Sequence, residues 1–257
     1  MFLSSLFRRS ERPLLVSFPK SGRTWIRVMM NDLGVDMQYI HDGTDHKQLR
    51  DISSISTSKS RYRKRKVVFL VRDPRDTVVS GFFQVQKRHK LKVGSFSEFI
   101  RSDFHGIDKI VRFNMGWFAI KPKMRSIRYL QYEDVHRDPV TSVSEILQFI
   151  GAPVSSEKIA EVAENRTFEK MRESEAKGDL GARYGDVLQP GDTNDPESFK
   201  VRRGKIGGFH EYLSSDDIAY CDDILASARY WEALDKVFKQ SGLNYQSTEQ
   251  KPAAISG

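Results

Sequence analysis

The 257-residue chain has a single cysteine, Cys221, so no internal disulfide framework can staple it, and that scarcity of thiols fits a reducing compartment such as the cytoplasm. Long apolar runs are missing as well. None approaches the roughly 20 residues that span a bilayer, and the mean hydropathy is −0.53, so no transmembrane segment is expected. The opening stretch MFLSSLFRRSER sets its apolar residues before its arginines, the reverse of a secretory signal. Residues 1–12 therefore read as a flexible N-terminus, with peripheral contact at a membrane surface as the alternative. No His, Cys and carboxylate set has metal-ligand spacing, no internal repeat is present, and no metal is expected.

What is plentiful is charge. Lys and Arg number 42 against 34 Asp and Glu, and the net +8 implies an anionic partner: nucleic acid, a membrane surface or a polyphosphorylated small ligand. The length and the 39% hydrophobic content suit one α/β domain, over residues 13–243, with a disordered tail at 244–257.

The chain is organised around LLVSFPKSGRTWIRVMMNDL, residues 14–33. Leu14, Leu15, Val16 and Phe18 form a short apolar run suited to a buried parallel strand, and Pro19 ends it. Gly22 permits a backbone that turns successive N–H groups inward, and Trp25, Ile26, Met29, Met30 and Leu33 recur at helical spacing from a start near Thr24. A helix start of this kind is an anion site before any side chain is counted, and Lys20 and Arg23 add charge to it. The nucleoside-triphosphate loop G-x-x-x-x-G-K-[ST] does not fit, because here the lysine precedes the glycine and no hydroxyl follows a Gly-Lys pair to hold magnesium.

Downstream, Met37, Tyr39 and Ile40 predict a second strand that delivers His41 at its end, with His46 five residues on. SSISTSKSRYRKRK, residues 53–66, reads as a solvated helix end or loop, with an anionic acceptor or nucleic acid as the alternative. Val67 to Val71 is a central strand closed by Arg72-Asp73-Pro74, where Asp73 caps a helix whose first residue is Pro74. Residues 96–121 are largely helical with Trp117 in the core. Ser126 to Leu130 is a further strand, followed by helices over 136–150 and 157–164. Glu133 and Asp134 are adjacent and point to different sides, so they are rejected as an acid/base pair. Residues 173–200 have little periodicity and are expected to form a long mobile lid. Ser215 to Gln240 reads as one long helix stopped at Gly242.

PKSGRTW resembles the 5′-phosphosulfate loop, P-K-S-G-T-T-W, of sulfotransferases that use 3′-phosphoadenosine 5′-phosphosulfate, with Arg23 in place of a threonine. The resemblance extends in order to VVFLVRDPRDTVVSGFF, where Arg72 and Ser80 match the 3′-phosphate segment; to Tyr132-Glu133-Asp134; to Arg166-Thr167-Phe168, where Phe168 matches an adenine-pocket residue; and to Arg202-Arg203-Gly204, which matches the segment returning to the 3′-phosphate. It implies a single α/β domain with a central parallel sheet flanked by helices and a P-loop-like strand–loop–helix site. The implied site comprises Lys20 at the leaving oxygen, His41 as base, and Ser21, Gly22, Arg23, Thr24, Trp25, Arg72, Ser80, Tyr132, Phe168, Arg202, Arg203 and Gly204 around the donor. The implied acceptor is a small molecule, glycan or lipid. A nucleotide kinase is the rival enzyme and a basic nucleic-acid-binding protein the non-enzymatic rival; the second needs its cations on one exposed face rather than at strand ends.

Overall fold

Strand periodicity decides the architecture. In the computed structural model, which describes residues 12–46, 50–56, 58–120, 126–179, 181–184 and 188–240, four strands form one sheet. They are β1 (Leu14–Ser17), β2 (Gln38–Ile40), β3 (Val67–Val71) and β4 (Ile127–Gln131), in the order β2-β1-β3-β4 and parallel throughout. Val16 pairs with Phe69, and Phe69 with Tyr129. Side chains alternate across a strand, so Leu14, Val16, Val67, Phe69 and Tyr129 enter one core layer, and Leu15, Val68, Leu70 and Leu130 enter the other.

The helices are α1 (Arg23–Asp32), α2 (Pro74–Phe83), α3 (Phe96–Ile100), α4 (Ile107–Phe118), α5 (Tyr132–Arg137), α6 (Pro139–Ile150), α7 (Ser156–Asn165), α8 (Phe168–Lys177), α9 (Gly181–Tyr184), α10 (Ser215–Ser227) and α11 (Tyr230–Lys239). Residues of α2, α3, α4, α10 and α11 fill the first layer, where Trp117 stacks on Phe69 with ring centroids 5.2 Å apart; α1, α5, α6 and α7 fill the second. Covering both faces buries the central strands β1 and β3 along their whole length. Asp73 caps α2 through the Arg75 N–H, and a single π turn, Gln84–Arg88, prolongs that helix.

Several expectations are corrected. The helix expected over 136–150 is two: Asp138, forced from the helical region by Pro139, separates α5 from α6 and caps the latter through Thr141. The long C-terminal helix is also two, because Arg229 adopts a left-handed backbone (φ 49°) and lets Tyr230 turn inward to accept a bond from Asn114 Nδ2 at 2.8 Å. Residues 96–121 break between α3 and α4. The stretch 173–200 is not one irregular loop: α8 runs through it to Lys177, α9 follows, and Leu188, Ser198 and Phe199 are buried. Its helical signal was faint because the buried face of α8 consists of Met171 and a charged residue, Glu175. In the basic segment Arg63, Lys64 and Lys66 are exposed as expected, yet Lys59 and Tyr62 are buried against the Asp42 carboxylate, with Lys59 Nζ 2.5 Å from Oδ2. Residues 1–11 and 241–257, where both tails and the stop at Gly242 were expected, lie outside the described residues.

Candidate functional site

The sheet reverses its winding at β1, since the chain runs from β1 to one neighbour, β2, and then back across to the other, β3. Ligands of open parallel sheets bind at such a point, beyond the carboxyl ends of the strands. Each strand end supplies a polar residue there: Lys20 after β1, His41 directly after β2, Arg72 directly after β3 and Tyr132 directly after β4.

Lys20 and Gly22 both take left-handed backbone angles (φ 72° and 92°), and α1 begins at the next residue with no side chain capping it. The N–H groups of Arg23 and Thr24 are thereby left for an anion in the cleft, while that of Trp25 donates to the Gly22 carbonyl at 3.0 Å. Only glycine fits at position 22, because a Cβ there would lie 2.4 Å from Tyr132 Cδ2. Gly204 (φ 64°) is constrained in the same way by Phe168, whose Cδ2 would be 2.3 Å away.

Thirteen of the fourteen predicted site residues line one cleft of about 970 Å³; the exception is Ser21, which is buried beneath it. Arg72 lies over the Tyr132 ring at 4.4 Å and donates to the carbonyls of Lys20 (3.2 Å) and Lys205 (3.1 Å), while its Nε is buried without a hydrogen-bond partner. Tyr132 donates to the Gly204 carbonyl at 3.1 Å. Trp25 is fixed by its indole N–H on the Arg166 carbonyl (2.6 Å) and lines the cleft together with the apolar side chains of Phe168 and Met171. Arg202 is held by Glu197 (2.8 Å) and the Tyr212 hydroxyl (2.7 Å), and the exposed Arg203 by Glu197 (3.1 Å) and Glu211 (2.7 Å).

The electrostatics are those of an anion site. Burial, then Lys200 and Arg88, drives the Lys20 amine well below its ordinary value; burial and Arg88 lower Lys200 to about 8. Cations crowded so closely are stabilised by a bound anion. His41 is held neutral by burial and by Arg23, and its Nδ1 lies 2.9 Å from the Ser17 carbonyl. In the neutral ring Nδ1 donates to that carbonyl, which leaves Nε2 as the acceptor. His46 is placed differently, buried with Nδ1 3.3 Å from His105 Nδ1, where the two rings share one proton.

Sequence reasoning missed Lys200, Gln84, Arg88 and Glu175. Lys20 Nζ donates to Gln84 Oε1 (3.3 Å) and to the Lys200 carbonyl (3.4 Å). The fully buried Glu175 accepts from the N–H groups of Lys200 (2.6 Å) and Val201 (2.8 Å) and pairs with Arg88 (3.3 Å), and Asp76 accepts from Gly207 (2.8 Å) and Phe209 (3.0 Å). These two carboxylates bring the segment 200–209 back over the cleft. Only the glycine–arginine run at 202–204 signalled that return. Glu133 is also structural: buried, with its pKa raised to about 7 by that burial, it accepts from the Asp73 N–H at 2.9 Å. Among the described residues no three His, Cys, Asp or Glu side chains are grouped to hold a metal ion, and no helix is long and apolar enough to cross a membrane.

Comparison with known proteins agrees with this geometry. The chain is 26% identical over 249 residues to flavonol 3-sulfotransferase of Flaveria bidentis, covering 82% of this chain and 79% of that protein. It is 23% identical over 266 residues to sulfotransferase 2A6 of Rattus norvegicus, covering 90% and 84%. Among solved structures, mouse sulfotransferase SULT7A1 complexed with PAP shares the fold at a TM-score of 0.65 and 19% identity, over 91% of this chain and 89% of that one. The sulfotransferase domain model matches residues 55–241, well over half of the chain, and its span takes in Arg72, Tyr132 and the returning segment. With the strand-end geometry carrying the first loop and this match carrying the rest, the chain belongs to the sulfotransferase family.

Proposed function

We propose that this sulfotransferase moves a sulfuryl group from 3′-phosphoadenosine 5′-phosphosulfate to an acceptor hydroxyl or amine by in-line displacement, with its own residues in the following roles. The observation that carries the reading is the shared cleft lined by Lys20, the α1 N-terminus, Arg72, Ser80 and the rings of Trp25 and Phe168. The residues present suit such a nucleotide: a buried Arg72 Nε still lacks an acceptor, and Trp25 and Phe168 offer flat apolar faces for a base. When bound, the donor supplies an activated sulfur joined to a phosphate leaving group.

Lys20 and the first-turn N–H groups stabilise charge that grows on the oxygen between sulfur and phosphorus. His41 Nε2 takes the acceptor proton as the new oxygen–sulfur bond forms. Arg72, Ser80 and Arg203 hold the 3′-phosphate and so fix alignment. The depressed basicity of His41 is set partly by Arg23, Lys200 and Lys20, so an anion that neutralises those cations raises it towards the working range. The names of the relatives, among them a flavonol and a 3-alpha-hydroxysteroid sulfotransferase, support a hydroxyl acceptor.

The test compares adenosine 3′,5′-bisphosphate (PAP) with AMP by titration calorimetry. The wild-type chain is expected to prefer PAP, and Arg72→Ala to lose about tenfold or more of that preference, the scale of one charge-assisted hydrogen bond. Equal affinity of the wild-type chain for the two nucleotides overturns the reading.

A further inference from the structure

Beyond Lys20 the cleft opens into a second cavity of about 1120 Å³, and Lys20, Arg23, His41 and Lys200 line both spaces. The two differ in chemistry. The nucleotide side offers Trp25, Phe168 and Met171, whereas the described lining of the second cavity contains no aliphatic residue larger than proline and no Phe, Tyr or Trp. Three histidines and two glutamines stand there instead, and four Lys or Arg side chains face one carboxylate, that of Asp45.

Part of that charge is committed. Lys20 serves the donor, and Arg88 is tied to Glu175 and to the Gln189 carbonyl (2.7 Å). Arg23 and Lys200 form no hydrogen bond or ion pair through their charged ends among the described residues, although burial lowers Arg23 to about 10 and Lys200 to about 8. Desolvated cations kept without a bonded anion destabilise the free protein and favour an anionic ligand. An apolar acceptor gains little here, since it would leave those polar groups covered without hydrogen-bond partners.

Resting on the sulfuryl-transfer reading above, we propose that the acceptor is a polyhydroxylated anion, a sugar acid or sugar phosphate, bound in the second cavity with its anionic group at Arg23 and Lys200 and a hydroxyl at His41. The hydroxyl oxygen bonds to sulfur, the bond from sulfur to the phosphate oxygen breaks with its electron pair leaving on PAP, and His41 takes the hydroxyl proton.

The experiment measures affinity for, and turnover of, glucuronate, glucose 6-phosphate, glucose, a simple phenol and a steroid alcohol, binding being read on the PAP complex. Glucuronate or glucose 6-phosphate is expected to bind at least tenfold tighter than glucose and to be turned over, and the one that does so separates the carboxylate source from the phosphate source. Lys200→Met and Arg23→Thr are expected to reduce that ratio to within about twofold, the ratio being taken at saturating PAP for each variant so that a change in donor affinity does not enter it. If PAP binds and the phenol or steroid is preferred, or neither anion binds better than glucose, the acceptor assignment is overturned and sulfuryl transfer stands. If PAP itself does not bind, the donor reading fails and this inference falls with it.

Discussion

Replacing Gly22 with alanine tests the cleft's construction most directly, because two costs can be read from the geometry. The new Cβ would lie 2.4 Å from Tyr132 Cδ2 and 2.8 Å from Cε2, so the ring must move, and such overpacking costs about 1–3 kcal/mol. The backbone at φ 92° adds about 1–2 kcal/mol for a residue that carries a Cβ. Together they amount to roughly 2–5 kcal/mol, a melting-temperature drop of roughly 4–20 °C for a chain of this size. Gly34→Ala separates the terms: its φ is 74° but nothing lies within 4 Å of the added Cβ, so only the backbone cost applies. Because the displaced ring carries Arg72 on its face and reaches the Gly204 carbonyl, Gly22→Ala should also lose PAP affinity, which Gly34→Ala should keep. Thermal melts and PAP titrations of both variants decide it. Gly22→Ala melting alongside Gly34→Ala with wild-type PAP affinity would refute the packing of Tyr132 against the first loop.

Lys20→Met is expected to abolish most turnover, by about 10²-fold or more, and to retain part of the nucleotide affinity, since the ammonium acts chiefly on the departing oxygen; single-turnover rates check this, and an unchanged rate sinks the role. His41→Asn should lower turnover by roughly 10²–10⁴-fold with nucleotide affinity nearly intact, and His46→Asn much less, because His46 is engaged with His105; a large loss at His46 alone would move the base by five positions. Acid should destabilise the fold. His41, His46 and His136 are held below their ordinary value, and His105 at about 4, so below about pH 6.5 these four groups take up more protons in the unfolded chain than in the native one and stability falls as pH falls; Glu133, raised to about 7, and Asp76 and Asp134, also raised by burial, oppose them in part. A melting temperature that is flat or rises from pH 7 to pH 5 would contradict this.

The sheet was legible because its central strands, β1 and β3, are buried on both sides and therefore read as nearly uninterrupted apolar runs, and the first loop because a glycine turn before an amphipathic helix has few alternative foldings. Lys20, Arg72 and Tyr132 could be placed together for the same reason, each being tied to a strand end. Glu175 and Lys200 could not. Their importance arises from a contact between α8 and a segment 25 residues later, and in one dimension a buried carboxylate that receives backbone N–H groups is indistinguishable from a solvated one. The helix breaks at Asp138 and Arg229 were hidden for different reasons. The first was signalled by Asp-Pro but outweighed by periodicity, and the second depends on Tyr230 finding Asn114 across the core.

Arg72 joins parts of the chain that are far apart in sequence, donating to the carbonyl of Lys20 in the first loop and to that of Lys205 in the returning segment. On the proposed assignment, a phosphate that draws this guanidinium away must loosen one or both of those bonds, so the two ends of the nucleotide site are expected not to bind independently. Thermodynamic reciprocity then sets a constraint: whatever factor occupancy at the 3′ end imposes on affinity at the phosphosulfate end, the phosphosulfate end imposes on the 3′ end. Fragments carrying only one of the two anions should accordingly show binding free energies that do not sum to that of the whole nucleotide, even after the entropy of linking them is counted. The size of that discrepancy measures how stiffly one arginine couples two loops.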